Sequence, residues 1–382
     1  MKKFGLIPDS FKGTLSSAQV CGEMETAILR HMPGAAVRSI PVADGGEGTC
    51  EAFLAALGGE KHTLTVTGPL RTPLEAFYAR LPNGKAVVEM AACAGLPLVG
   101  DEKNPENTTT YGVGELLKAA LDAGERDIVL GLGGSATNDG GAGMACALGV
   151  RFYNAAGEEF LPIGGTLKDI ARMDIAELDP RLKEAQIVAM CDVDNPLCGP
   201  QGASAVFGPQ KGADPAMVQR LDAGLAHFAE CIAAAMDCDV LTLPGGGAAG
   251  GLGAGAVAFL GAQLQSGITT VLDTVGFEAE IRDADLIFTG EGKLDSQSLR
   301  GKVVCGVAKR AKAAGVPVIA VVGDVGDEID TVYEQGVAAV FSTNRVAVPF
   351  KEAKLRAKRD LQETMDNIMR LLALRGPKEE TL

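Results

Sequence analysis

Tryptophan is absent from this sequence, and aromatic residues make up only 4% of it. A base-stacking platform for nucleic acid is therefore not expected. The only histidines are His31, His62 and His227, and none has a second histidine at ligand spacing, which argues against a zinc site. The nine cysteines are scattered without a C-x-x-C and mostly sit in apolar runs, so they read as reduced thiols of a cytoplasmic protein. No apolar run reaches the roughly 18 residues of a membrane span, and no signal peptide is expected before the first strand. A formal net charge of −14 disfavours nucleic acid and anionic membranes as partners. Several catalytic signatures are also missing. The Gly-Lys pairs at 84, 292 and 301 are followed by Ala, Leu and Val, which removes a P-loop. There is no H-R-D or D-F-G set and no G-x-S-x-G.

Glycine is what the chain has in excess, with 50 among 382 residues, a length that suits two domains. The densest functional-looking stretch is Asp127–Gly149. Ile128-Val129-Leu130 suits a buried strand, and seven glycines then fall between Gly131 and Gly149 together with Ser135, Thr137, Asn138 and Asp139. Small apolar residues from Ala142 to Leu148 suit a helix packed closely on a sheet. Strand, glycine-rich turn and helix start make an anion cradle of backbone N–H groups. The plainer alternative is a tight turn in which Asp139 caps a helix. A second run, Gly245–Gly255, is more purely apolar and fits simple phosphate cradling.

Along the chain, Lys2–Pro8 reads as a strand, and Ser16 with Gln19 forms a capping box for the helix that follows. A strand over 37–43 and a helix over 50–57 complete a β-α-β-α start. The rhythm changes at His62, where three strand-like runs joined by short turns, including Asn83-Gly84, predict an antiparallel meander. Helices are expected over 111–123, 217–236 and 256–264, a hairpin over 152–160 and a strand over 187–191. Alternating α/β pattern returns near Glu278 and ends in a helix over 351–374, whose basic residues are a solvated face. The expected fold is therefore α/β: a Rossmann-like parallel-sheet domain built from both chain ends (1–62 and 280–382), with a second, inserted α/β domain (63–279).

Acidic residues sit just past several of these strands: Asp9, Asp44, Asp192 with Asp194, and Glu291. In open α/β sheets ligands bind outside the carboxyl ends of strands, so these acids are candidates for one cleft. Lys12, Lys293, Arg300 and Lys302 follow in the same loops. Carboxylates, lysines and glycine turns together are what phosphoryl transfer requires. Two G-x-G-x-x-[GA] matches, at Gly131 and Gly245, keep a nicotinamide-dependent dehydrogenase of a small hydroxy acid as an alternative, and a non-catalytic sugar-acid or nucleotide sensor is a third.

The motifs also occur in a recognisable order. Pro8-Asp-Ser-Phe-Lys-Gly13, Val42-Ala-Asp-Gly-Gly-Glu-Gly-Thr49 and Thr108-Thr-Thr-Tyr-Gly112 precede Gly133-Gly-Ser-Ala-Thr-Asn-Asp-Gly-Gly141. Phe207-Gly-Pro-Gln-Lys-Gly212, Gly245–Gly255, Thr289-Gly-Glu-Gly-Lys-Leu-Asp295 and Leu299-Arg-Gly-Lys302 follow. Over nearly its whole length the chain resembles the type 1 glycerate kinase family. That resemblance implies ATP-dependent, magnesium-assisted phosphorylation of D-glycerate, usually at the 2-hydroxyl, in a cleft between two α/β domains. On this reading Asp192, Lys12 and Glu291 are catalytic candidates, and Asp192 with Asp194 the magnesium ligands. Substrate would be held by Ser10, Asp44, Glu47, Ser135, Asn138, Asp139, Arg300 and Lys302. The nucleotide would be held by Gly133, Gly134, Lys211, Gly247, Gly250, Gly251 and Gly253. A homo-oligomer is compatible with the sequence but not specified by it.

Overall fold

The computed structural model describes residues 1–11, 13–295 and 302–374. The chain begins with β1 (Lys3–Pro8), α1 (Ser17–His31) and β2 (Ala36–Ser39). Next come α2 (Thr49–Leu57), β3 (Glu60–Thr67), β4 (Pro73–Arg80), β5 (Lys85–Glu89), α3 (Ala91–Ala94), α4 (Tyr111–Asp122), β6 (Asp127–Gly131) and α5 (Ala142–Ala147). Three short strands follow: β7 (Arg151–Tyr153), β8 (Glu159–Phe160) and β9 (Arg172–Asp174). Then come β10 (Gln186–Met190), α6 (Ala203–Phe207), α7 (Pro215–Met236), α8 (Leu252–Leu260), β11 (Gln263–Gln265) and α9 (Gly267–Val275). The last part is α10 (Phe277–Ile281), β12 (Leu286–Gly290), β13 (Lys293–Leu294), α11 (Val303–Ala313), β14 (Val318–Val322), β15 (Asp324–Val325), α12 (Thr331–Glu334), β16 (Val337–Ser342) and α13 (Phe350–Ala373).

Two compact units result, Met1–Ala43 with Val271–Leu382, and Asp44–Thr270. In the first, five parallel strands lie in the order β16-β14-β12-β1-β2. Within that unit the order is 2-1-3-4-5, a doubly wound sheet whose connections reverse direction between β1 and β12. The strands β12 and β14 are buried along their whole length, which is why they read as unbroken apolar runs. One face of the sheet, carrying Phe4, Leu6, Phe288 and Val321, packs on α1 and α13. Helix α1 starts at the expected capping box, with Ser16 accepting from the Gln19 N–H and Gln19 accepting from the Ser16 N–H. Helix α11 packs against β1, β12 and β14.

The second unit holds a six-stranded sheet, β11-β10-β6-β5-β4-β3. The predicted meander is β3-β4-β5, antiparallel throughout, while β5, β6, β10 and β11 run parallel. Its core gathers Leu116, Leu130, Met144, Phe152, Phe228 and Phe259. Helix α2 packs on β4 and β5, so the contact boundary falls at residue 43/44 rather than near 62. The helix expected over 256–264 is displaced. It spans Leu252–Leu260 and stops at Gly261, whose φ of +62° suits a helix end, and the chain then forms β11 against β10. The short β9, which completes a three-stranded sheet with β7 and β8, had no periodic signal in the sequence.

Candidate active site

In the first unit the reversal point lies between the carboxyl ends of β1 and β12, where Pro8 pairs with Gly290. Asp9 and Ser10 continue β1, and Glu291 continues β12. The Asp9 N–H donates to the Gly290 carbonyl at 2.8 Å, and Asp9 Oδ1 accepts from the Ser10 N–H at 2.6 Å. Glu291 is buried and Ser10 half-buried. Lys302 is exposed at the start of α11. Lys12 and Arg300 lie outside the described residues.

In the second unit the parallel strands β5, β6, β10 and β11 are hydrogen-bonded neighbours that end together. From those ends come Glu89, the turn after Gly131, the acids after Met190, and Ser266-Gly267. The loop Asp44–Gly48 folds over them. The Gly133 N–H donates to the Gly45 carbonyl at 2.8 Å. A Cβ on Gly133 would lie 2.6 Å from Gly46 Cα, so the two backbones touch only because both residues lack side chains. Asp44 and Glu47 are exposed on this loop, and Asp44 Oδ1 accepts from the Gly46 N–H at 3.1 Å.

The turn after β6 divides into an accessible lip and a buried root. Gly134 is exposed, Gly133 half-buried and Ser135 8% exposed, whereas Thr137, Asn138 and Asp139 are fully buried. Asp139 anchors the root. Its Oδ2 accepts from the Thr110 N–H at 2.7 Å, the Thr110 hydroxyl at 2.9 Å and the Gly143 N–H at 3.3 Å, and its Oδ1 from the Gly141 N–H at 3.2 Å. Burial raises its pKa, and these bonds oppose the rise. Asn138 Nδ2 donates to Ser204 Oγ at 3.1 Å, while Asn138 Oδ1 and Thr137 Oγ1 have no hydrogen-bond partner among the described residues. Asn138 and Asp139, expected to touch substrate, are fully buried in this structure and hold the turn from within. Helix α5 has Gly141 as its N-cap with no side-chain cap, and Asp139 reaches the Gly141 and Gly143 N–H groups from two residues before that cap.

Lys211, expected at the nucleotide, is buried as well. It is only 2% exposed, and its Nζ donates to Ser135 Oγ and to the Thr137 carbonyl, each at 2.7 Å. Burial lowers its pKa to about 7, with the charge of Asp139 acting in the opposite direction.

The second glycine run also serves packing. A Cβ on Gly247, Gly250 or Gly253 would strike the carbonyl oxygen of Pro196, Thr137 or Gly245, and one on Gly251 would approach Gly140 Cα at 2.9 Å. The Gly140 N–H donates to the Gly250 carbonyl at 3.0 Å. Gly250 and Gly251 make close backbone contact with Thr137–Gly141, whereas Gly247 and Gly253 pack on the backbone of Asn195-Pro196 and of Gly245-Gly246; all four are buried. The two glycine runs are thus halves of one buried joint.

Asp192 and Asp194 are exposed beyond β10, and Asp192 Oδ1 accepts from the Gly267 N–H at 2.8 Å at the start of α9. Glu89 is the acid the sequence reading missed, because it lies inside an apolar strand pattern. It is 2% exposed at the end of β5 and accepts from the Gly48 and Cys50 N–H groups, both at 3.2 Å, so it caps α2 from another element. Burial lifts its pKa to about 7, against those bonds. A folded pKa above the unfolded one contributes stability below pH ~4.5 that is lost as pH rises toward 7. Relative to Glu89→Gln, the wild type should therefore lose on the order of 3 kcal/mol over that interval. Paired thermal melts at pH 4.5 and 8 check this; a constant gap between the two proteins would refute it.

No group of three or more His, Cys, Asp or Glu side chains able to hold a metal occurs among the described residues. Magnesium ordinarily takes one or two carboxylates and completes its shell with water and phosphate oxygens. The exposed pair Asp192 and Asp194 fits an ion delivered with a nucleotide, not a preformed cage. Among the described residues, no helix is long and apolar enough to cross a membrane.

Parallel strands with acidic and glycine-rich loops gathered at their carboxyl ends define an α/β protein of the ligand-binding, enzyme type. The glycerate kinase family model matches residues 5–373. The chain belongs to the glycerate kinase family. It is 46% identical over 368 residues to the glycerate kinase of Bacillus subtilis, covering 96% of each chain. To the glycerate 2-kinase of Escherichia coli it is 46% identical over 374 residues, covering 97% of this chain and 98% of the relative. A crystal structure from Salmonella typhimurium LT2, described as a candidate glycerate kinase 2, superposes with a TM-score of 0.86 at 44% identity, covering 98% of both chains.

Proposed function

We propose that this protein transfers the γ-phosphoryl group of ATP to the 2-hydroxyl of D-glycerate, with magnesium accompanying the nucleotide. The observation that carries this reading is the accessible lip Gly133–Ser135 beside the acids after Met190, on neighbouring parallel strands. Relatives named glycerate kinase and glycerate 2-kinase, matched over almost their full length, support the choice of substrate and favour the 2-position.

In this reading the lip holds an oxygen of glycerate, and Asp44 and Glu47 border it with hydroxyl acceptors. Asp192 accepts the proton of the 2-hydroxyl as its oxygen bonds to phosphorus and the bond to ADP breaks. Asp192 and Asp194 would hold magnesium, which would neutralise charge on the phosphates. Ser10 and Glu291 lie at the reversal point of the first unit; Glu291 and Lys12 are assigned to the chemistry, and Ser10, Arg300 and Lys302 to the substrate or the transferred phosphate. Histidine takes no part: His31 Nε2 lies 3.1 Å from Asp366 Oδ1, His62 stacks on Tyr78, and His227 Nε2 contacts the Ile170 carbonyl oxygen. A loose phosphoryl transition state asks little of a general base.

Incubation with D-glycerate and ATP, followed by phosphorus NMR, should show 2-phosphoglycerate; no phosphorylated glycerate would end the proposal. Asp192→Asn keeps an oxygen for the Gly267 N–H, so the fold should persist while kcat falls by more than about tenfold. Near-normal turnover would remove Asp192 from the chemistry.

A further inference from the structure

Lys211 is a buried amine whose two hydrogen-bond partners are a hydroxyl and a carbonyl, not a carboxylate. An ammonium group has three donors and no acceptor. While it is protonated, Ser135 Oγ must accept from it, and the Ser135 hydroxyl hydrogen is forced to point elsewhere. Ser135 is 8% exposed and adjoins exposed Gly134, whereas Lys211 lies beneath it. We propose that Lys211 is a positioning residue that fixes the Ser135 hydroxyl as an outward donor, so that the lip recognises an anionic oxygen, the carboxylate of glycerate, rather than a neutral hydroxyl. The inference builds on the substrate assignment above and deepens it.

The same geometry contains a reversal. A neutral amine has a lone pair and can keep donating to the Thr137 carbonyl while accepting from Ser135. The serine hydroxyl then points inward, and the lip presents a lone pair that repels a carboxylate. Burial places this change near pH 7. Among the described residues, Asp139 is the charged group acting on the amine. Nearby, Glu106 is engaged by Arg220, and Lys103 meets Gly212 through its backbone with its side chain exposed. A carboxylate of this kind is fully ionised well below pH 6, so the substrate itself does not titrate in the window.

The test compares the KM for D-glycerate from pH 6 to 9 in the wild type, Ser135→Ala and Lys211→Met, with calorimetric binding of D-glycerate alongside. The wild-type KM should rise about tenfold across pH 7–8, the scale of one charge-assisted hydrogen bond, with kcat changing far less. Ser135→Ala should start from the raised KM and show no such rise. Lys211→Met, if it folds, should behave likewise. A pH-dependent rise that persists in Ser135→Ala, or a flat wild-type profile, would overturn the proposal. If the wild type does not turn over glycerate, the proposed function fails, and calorimetry still decides this inference. A pH break in affinity that vanishes in Ser135→Ala supports it, and no binding or an unchanged break defeats it.

Discussion

Asp139→Ala should be the most damaging single substitution in the candidate site, costing more than about 4 kcal/mol of stability. Its carboxylate accepts from four donors, the Thr110 N–H and hydroxyl and the N–H groups of Gly141 and Gly143, and all lie in a fully buried region. Alanine leaves the three N–H groups with neither protein nor solvent, at roughly 1–3 kcal/mol each. It also frees the Thr110 hydroxyl, which now accepts from the Met144 N–H at 3.0 Å while donating to Asp139. The segment from Thr110 to Met144 should loosen as one piece, so activity should disappear together with the folding transition. Asp139→Asn keeps one carbonyl oxygen but turns an amide N–H₂ toward other donors, and it should fall in between. Denaturant titrations of the three proteins check the order. If Asp139→Ala melted like the wild type but lost only glycerate affinity, Asp139 would be a substrate ligand after all.

Gly250→Ala should produce the second large effect. Its φ is +68°, and a Cβ there would collide with the Thr137 carbonyl oxygen and lie 2.7 Å from Asn138 Cα. Both obstacles are backbone, so relief requires moving the buried root of the turn away from α8. A loss of several kcal/mol is expected, with KM for glycerate and ATP disturbed together because the whole joint shifts. An ATP-specific rise in KM with unchanged melting temperature would instead restore a phosphate-cradling role to Gly245–Gly255. Gly261→Ala offers a control, since no atom lies within 4 Å of its Cβ position and only the φ of +62° is at stake.

Both predictions concern residues the sequence singles out for a different reason. Clusters of glycine and small polar side chains look alike whether they surround a ligand or let two backbones touch. Burial separates the cases, and burial follows from what packs against the turn. Thr110, Ser204, Lys211 and Gly250 all meet the stretch 135–143 from distant points in the chain. Nothing local to that stretch announces them. Glu89 escaped notice for a related reason: an acid ending a buried strand reads as the strand's last residue until α2 is seen presenting its first N–H groups to it.

The sequence by itself determined the α/β class, the capping box of α1, the meander β3-β4-β5 and the acids at strand ends. All of these follow from periodicity, turn chemistry or composition within about ten residues. Its ordered motifs also sufficed to indicate the family. Only the tertiary structure decided the 2-1-3-4-5 strand order, the joining of the two glycine runs, and which part of Gly131–Gly141 is lip and which is root. Those are long-range facts. Strand neighbours and buried hydrogen bonds are chosen by the total packing free energy of segments far apart in the chain, and no local pattern carries that sum.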